Sequence, residues 1–290
     1  MTELDDLRAA ARDLLEDNAP VRSNLEDNPG VWKRLSTEMG LTSLPLEAPL
    51  SWTATVLEET GRVLLRAPYL PTVVTAAVTR DPGLADGSLT AAVQTDEVVP
   101  HATGADLLLD LRGDEALLVR DFTATPVETL DLTRPAARVT HSGGESLGNV
   151  DHARDLLHLA LAAESVGAAQ RVLELVVEHL LVRTQFGRPL GSFQALRHKV
   201  ADLTVLLEAA RSTTWYAASE PDDFAVVAPL ARALASEAFV TIAGDAIQLF
   251  GGIGFTWEHD AHLYFKRAWA TALAADSTTL KQLAFDRSGT

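Results

Sequence analysis

The chain has 290 residues, 47% hydrophobic and 22% charged, with no cysteine and with 40 acidic against 24 basic residues, a formal net charge of −16. The lack of cysteine excludes a disulfide framework, thiolate zinc, an iron–sulfur cluster and a cysteine nucleophile. The acidic balance argues against a nucleic-acid footprint, so any anionic ligand must be met by local positive groups.

The start, Met1-Thr2-Glu3-Leu4-Asp5-Asp6, is acidic and lacks the basic and apolar regions of a signal peptide. Leu4, Leu7, Ala11, Leu14 and Leu15 then recur at helical spacing. A second helix is predicted near 31–39. Ser51 is placed to cap a third, because Trp52, Val56, Leu57, Val63 and Leu64 follow. Pro68 and Pro71 punctuate before the apolar run 73–78.

The texture changes at Asp81-Pro82-Gly83. Short apolar segments at 89–93, 107–111, 116–119 and 136–140, separated by turn residues, predict strands. Such a small sheet must pack on another layer to be stable. The run His141-Ser142-Gly143-Gly144-Glu145-Ser146 reads as a linker. Beyond it, 153–182, 193–218, 223–249 and 258–286 carry long apolar faces with short joints, which predicts an antiparallel four-helix bundle. The expected fold is mainly α with a small β domain: helices over 1–84, a truncated middle β domain over 85–146, and the bundle over 147–290. The apolar stretches are interrupted by charge before 18 residues, so no membrane-spanning helix and a cytoplasmic location are expected.

Two segments carry the functional information. One is Arg183-Thr184-Gln185-Phe186-Gly187-Arg188-Pro189, followed by Phe193-Gln194, His198 and Ala201-Asp202-Leu203. The other is Gln248-Leu249-Phe250-Gly251-Gly252-Ile253-Gly254-Phe255. Taken singly, each has an ordinary explanation. Paired glycines end helices, an arginine sits on a surface, and phenylalanines fill cores. Their joint spacing resembles the helical C-terminal domain of the acyl-CoA dehydrogenase family, flavoproteins that desaturate acyl-CoA thioesters. The resemblance covers 149–270 well, the N-terminal helices loosely and the sheet in part.

The resemblance implies an FAD cofactor, an acyl-CoA substrate, an electron-transfer flavoprotein as redox partner, and FAD sites that straddle a subunit interface. Arg183, Gln185, Phe186, Gln194, Gln248, Gly251 and Gly252 are then the cofactor contacts. The chemistry suits them. Arg183 offers a permanently charged fork to a pyrophosphate. Glycines let backbone N–H groups approach a phosphate or adenosine. The two glutamines supply amide donors and acceptors, and Phe186 offers a face to a flat ring.

At the reacting end the sequence departs from the family. Desaturation needs a carboxylate base whose pKa is raised in a water-poor site. Most members carry a Glu about two dozen residues after the paired glycines; ungapped counting from Gly251 gives Ala275, and a one-residue slip gives Asp276. A minority place the base ten residues before the glycine matching Gly167, which here is Leu157, followed by His158. Asp276 is therefore the candidate base, with helix capping as its ordinary role; His158 reads as an interface histidine and Glu164 as structural. The Thr-x-Pro-x-x-Gly-Ser loop that the family brings to the flavin ring is absent, and the loop at 45–50 is short. These departures imply a reduced subunit of an α₂β₂ enzyme, in which a homologous full-length partner supplies the base and most of the acyl-CoA pocket. A steroid side-chain thioester is the substrate suggested by analogy with paired actinobacterial dehydrogenases. A self-sufficient homo-oligomer using Asp276 and a flavin-free scaffold are the alternatives.

Overall fold

In the computed structural model, which describes residues 2–289, three layers follow one another in chain order. The first is helical: α1 (Glu3–Asn18), α2 (Pro29–Lys33), α3 (Leu44–Glu47), α4 (Leu50–Arg62), α5 (Tyr69–Thr79) and α6 (Pro82–Ala85). A capping box starts α1, with the Thr2 hydroxyl accepting from the Asp5 N–H and the Asp5 carboxylate from the Thr2 N–H. The helix predicted at 31–39 is present, but α2 passes into a π-helical turn at Arg34–Glu38. Ser51 does not cap α4. The helix begins two residues earlier than that cap implies, after Pro49, and the Leu50 N–H is met instead by the Glu220 carboxylate at 3.2 Å. A side chain distant in sequence thus does the work of the local cap.

The second layer has two small sheets. Strands β1 (Ala91–Gln94), β3 (Leu107–Asp110), β4 (Glu115–Val119) and β7 (Glu145–Asn149) pair in the order β1-β3-β4-β7, parallel only between β1 and β3. Strands β2 (Val98–Pro100), β6 (Ala136–His141) and β5 (Phe122–Val127) form an antiparallel sheet. Ala92, Leu108 and Val119 of one sheet share an apolar core with Val99, Ala137 and Val139 of the other. The run at 141–146, expected as a linker, belongs partly to β6 and β7, and β7 is hydrogen-bonded to β4. Its polar composition hid a strand whose stability comes from its neighbour.

The third layer is helical: α7 (Asp151–Val182), α8 (Gln194–Ala218), α9 (Phe224–Phe250), α10 (Ala261–Leu273) and α11 (Ser277–Arg287), with a short hairpin of β8 (Thr184–Gln185) and β9 (Arg188–Pro189) between α7 and α8. The fourth predicted helix is therefore two, broken at 274–276, where Asp276 takes extended backbone and caps α11. Charges do not keep α9 below the composition of a membrane span, as the sequence had suggested; its apolar window is mostly buried, and α9 packs on α7, α8, α10 and α11. The helical layers meet at a close crossing of α4 and α7. A Cβ on Gly61 would stand 2.0 Å from the Glu164 carbonyl oxygen, and one on Gly167 would stand 1.8 Å from that of Glu58. The two glycines let the backbones touch, and this crossing fixes α7 beneath the sheets.

Candidate functional site: an exposed grip and a separate cavity

Helices α7, α8 and α9 run up, down and up, so the end of α7, the start of α8 and the end of α9 lie together. His179 and Phe250 mark the junction, their rings 5.2 Å apart. Arg183, Gln185, Phe186, Gln194, Gln248, Gly251 and Gly252 all occur at this end, and all are exposed. The Arg183 guanidinium makes no hydrogen bond or ion pair among the described residues; its backbone N–H donates to the His179 carbonyl and its carbonyl accepts from the Leu190 N–H. Gln185 pairs with Arg188 across a two-residue turn whose residues, Phe186 and Gly187, have φ of +54° and +77°. That is the turn geometry favoured by tight hairpins, and a phenylalanine holds it at a conformational cost. The turn leaves the Phe186 ring 87% exposed, in edge contact with Phe193, which Arg188 covers at 4.0 Å. Gln194 reaches His198 at 3.1 Å.

The glycine turn shows which glycines the chain itself needs. Gly254 is buried, and a Cβ there would meet the Ile247 carbonyl oxygen at 2.7 Å. Gly251 has φ +66°, which glycine tolerates best. Gly252 has neither constraint, because a Cβ would meet nothing within 4 Å. Its missing side chain leaves room for something outside the chain. An unpaired cation, exposed amides, an exposed aromatic face and a bare glycine turn form a donor set that fits the pyrophosphate and adenosine of FAD.

A different site lies about 30 Å back along α7, the 19 residues from Arg183 to Glu164 rising about 1.5 Å each. Here a cavity of about 290 Å³ is enclosed between α4, α5, the sheets, α7, α9 and α10. Leu65, Tyr69, Val93, Leu157 and Leu161 give it apolar walls. Beside it lies a buried ion cluster. Arg267, 1% exposed, donates to Asp131, to the Thr133 hydroxyl at 2.8 Å and to Glu164 at 3.3 Å. Arg134 donates to the other Glu164 oxygen and to Thr271 Oγ1 at 3.3 Å. Asp131 is buried, yet Arg267, Arg134 and the Thr133 donors hold its carboxyl below the usual range. Glu164, read from sequence as structural, is thus committed to two guanidiniums.

The structure offers the cavity no free carboxylate where the family keeps its base. Ala274 lines the mouth, and Asp276 lies outside the lining. The Asp276 carboxylate is exposed and accepts from the Thr279 N–H at 3.0 Å and its hydroxyl at 3.2 Å. At the alternative position Leu157 lines the cavity. His158 is buried, burial holds its pKa down to about 3, and its Nδ1 accepts from Arg232 at 3.1 Å. Sequence reasoning missed Arg134, Arg232 and Arg267. The available signal was a lone arginine within an otherwise apolar helical face, as Arg232 is in α9.

Comparison with known proteins agrees with these observations. Residues 150–276 match the family described as "Acyl-CoA dehydrogenase, C-terminal domain". The acyl-CoA dehydrogenase IpdE2 of Mycolicibacterium smegmatis is 36% identical over 269 residues, spanning 88% of this chain and 86% of the relative. IpdE2 of Mycobacterium tuberculosis is 38% identical over 280 residues, spanning 89% and 87%. Among solved structures, a variant of the Tcur3481-Tcur3483 steroid ACAD superposes with a TM-score of 0.88 at 26% identity, over 99% of this chain and 98% of that one.

Proposed function

Because the chain belongs to the acyl-CoA dehydrogenase family, we propose that it is the partner-dependent subunit of an FAD enzyme that introduces an α,β double bond into a CoA thioester. A homologous full-length dehydrogenase subunit completes the assembly as α₂β₂. The observation that carries this reading is the separation of the two sites: the grip is exposed and unpaired, and it stands about 30 Å from the chain's own cavity along α7. A grip so placed serves a nucleotide housed by another chain.

When bound, FAD supplies the hydride acceptor for the reaction. Arg183 would pair with its pyrophosphate, and the Gly251-Gly252 turn and Gln248 would meet its polar groups. Gln185, Phe186 and Gln194 would complete that contact. This chain's residues bind and orient; the proton at the α-carbon is removed by the partner. Asp276 is spent on capping α11, and Glu164 on Arg134 and Arg267. The relative named as a steroid ACAD with two component chains supports both the paired assembly and a steroid-derived thioester as substrate.

Co-expression tests the reading. The chain made alone is expected to be colourless. Made with a homologous full-length dehydrogenase subunit, it is expected to purify as a yellow complex with one flavin per pair of chains. A yellow, active preparation of the chain alone would overturn it.

A further inference from the structure

The cavity beside Glu164 holds a feature that the proposed subunit role does not use. Arg232 lines it and is 5% exposed, yet no carboxylate pairs with it among the described residues. Its one hydrogen-bond partner there is His158 Nδ1, at 3.1 Å. Burial, with Arg134 nearby, holds the Arg232 guanidinium down to about 10, so it is charged at neutral pH. His158 cannot compensate, because it is neutral. The other carboxylates are already engaged: Glu164 takes Arg134 and Arg267, and Asp131 takes Arg267. Asp96 lies at the rim, exposed to solvent. His101, also on the lining, is held neutral, its pKa pushed down to about 3 by burial. Three guanidiniums therefore share two carboxylates, and one buried positive charge is left facing a mostly apolar space.

A buried charge without a counter-ion is costly and persists where something outside the fold offsets it. A small inorganic anion would satisfy the charge but not the apolar walls. We propose that this cavity binds an amphipathic monocarboxylate, its carboxylate forked onto Arg232 and its hydrocarbon against Leu65, Leu157 and Leu161. His158 is a positioning residue: by accepting one Nη1 hydrogen it fixes the guanidinium plane and leaves the other N–H groups to the ligand.

The test is calorimetric titration of the purified full chain, in complex with its partner subunit where one co-purifies, using octanoate, its neutral isostere octanamide, and chloride. A charge-assisted contact predicts octanoate binding roughly 10- to 150-fold tighter than octanamide, with chloride far weaker than either. Arg232→Met is expected to erase that preference, and Arg232→Lys to retain part of it. Leu157→Trp, which fills the cavity and keeps the arginine, should block both organic probes. A partner's own acyl pocket would respond equally whatever stands at residue 232, so the comparison of parent with Arg232→Met is decisive. Equal binding of octanoate and octanamide by the parent, or an undiminished preference in Arg232→Met, would overturn the proposal.

Discussion

Two buried carboxylates, Asp131 and Glu164, line the cavity; Glu164, on the long helix α7, is the one a search for a base in this chain would test first, and Glu164→Gln separates a structural carboxylate from a catalytic one. The substitution keeps the shape and removes the charge. In the folded chain one Glu164 oxygen takes Arg134 and the other takes Arg267 at 3.3 Å. Without it, Asp131 alone offsets Arg134 and Arg267, with Arg232 adding a third buried cation. Removing one partner from a buried ion pair costs about 3–5 kcal/mol, because the charge left behind is neither solvated nor matched. Set against a typical stability of about 5–15 kcal/mol, this is a large fraction. At about 2–4 °C per kcal/mol it lowers Tm by roughly 6–20 °C. Thermal unfolding followed by circular dichroism reads the change. Arg134→Met added to Glu164→Gln should recover part of it, since the double variant no longer strands that guanidinium. An unaltered Tm together with abolished turnover would refute the reasoning and identify Glu164 as a base.

The remaining predictions concern the grip, the helix crossing, the cap and acid stability. Arg183→Ala should weaken FAD retention in the assembled enzyme by about 10- to 150-fold, measured by flavin release on dilution, and leave the Tm of the chain unchanged because Arg183 is exposed and has no ion pair among the described residues. Gly167→Ala places a methyl group 1.8 Å from a backbone carbonyl; about 3 kcal/mol of overpacking against about 1 returned by helix propensity predicts a net loss near 2 kcal/mol in urea unfolding. Asp276→Ala should cost about 1 kcal/mol of stability through the lost cap, with turnover unchanged in a steady-state assay. Burial pushes the Glu174 carboxyl up, but hydrogen bonds from Arg62 and Gln170 outweigh it and bring the pKa down to about 2 from 4.5. A depressed carboxyl stabilises the fold fully above pH 4.5 and loses that contribution as pH falls toward 2. Glu174→Gln should therefore remove about 1–2 kcal/mol of acid-dependent stability in that window, allowing for solvent screening.

Long periodic segments were legible in the sequence because burial of one face repeats every helical turn. The bundle helices were predicted on those grounds, and β1, β3, β4 and β6 from short apolar runs set between turn residues. β7 escaped because Glu145–Asn149 is polar and held by pairing to β4, a contact made 30 residues away. The break at 274–276 escaped because Asp276 has helix on both sides, and only its cap geometry shows where one stops. The resemblance brought together residues of the grip that are far apart in sequence. It could not show that Arg183 is unpaired or that Gly252 faces open space, since both are statements about what the rest of the chain leaves vacant. The buried arginines were the least legible, because an isolated cation in an apolar run has no local signature of its partners.

The C-terminal end and the middle of α7 lie beside opposite solutions to the same electrostatic problem. At its C-terminal end Arg183 stays in solvent, where an unpaired guanidinium costs little and a passing phosphate can claim it. Deep in the fold Arg267 is buried and Arg134 half-buried, and both are held by Glu164 and Asp131, which commits those carboxylates to ion pairs. A base must be able to take up a proton, and a carboxylate forked between two buried guanidiniums pays for protonation with both pairs. A chain that commits its interior acids in this way, sets alanine on the cavity lining and keeps its nucleotide contacts outside fits the proposed role beside a second chain. The physical content of that dependence is specific. The missing element is a carboxylate free to take up a proton at the cavity, where Ala274 and Leu157 stand instead.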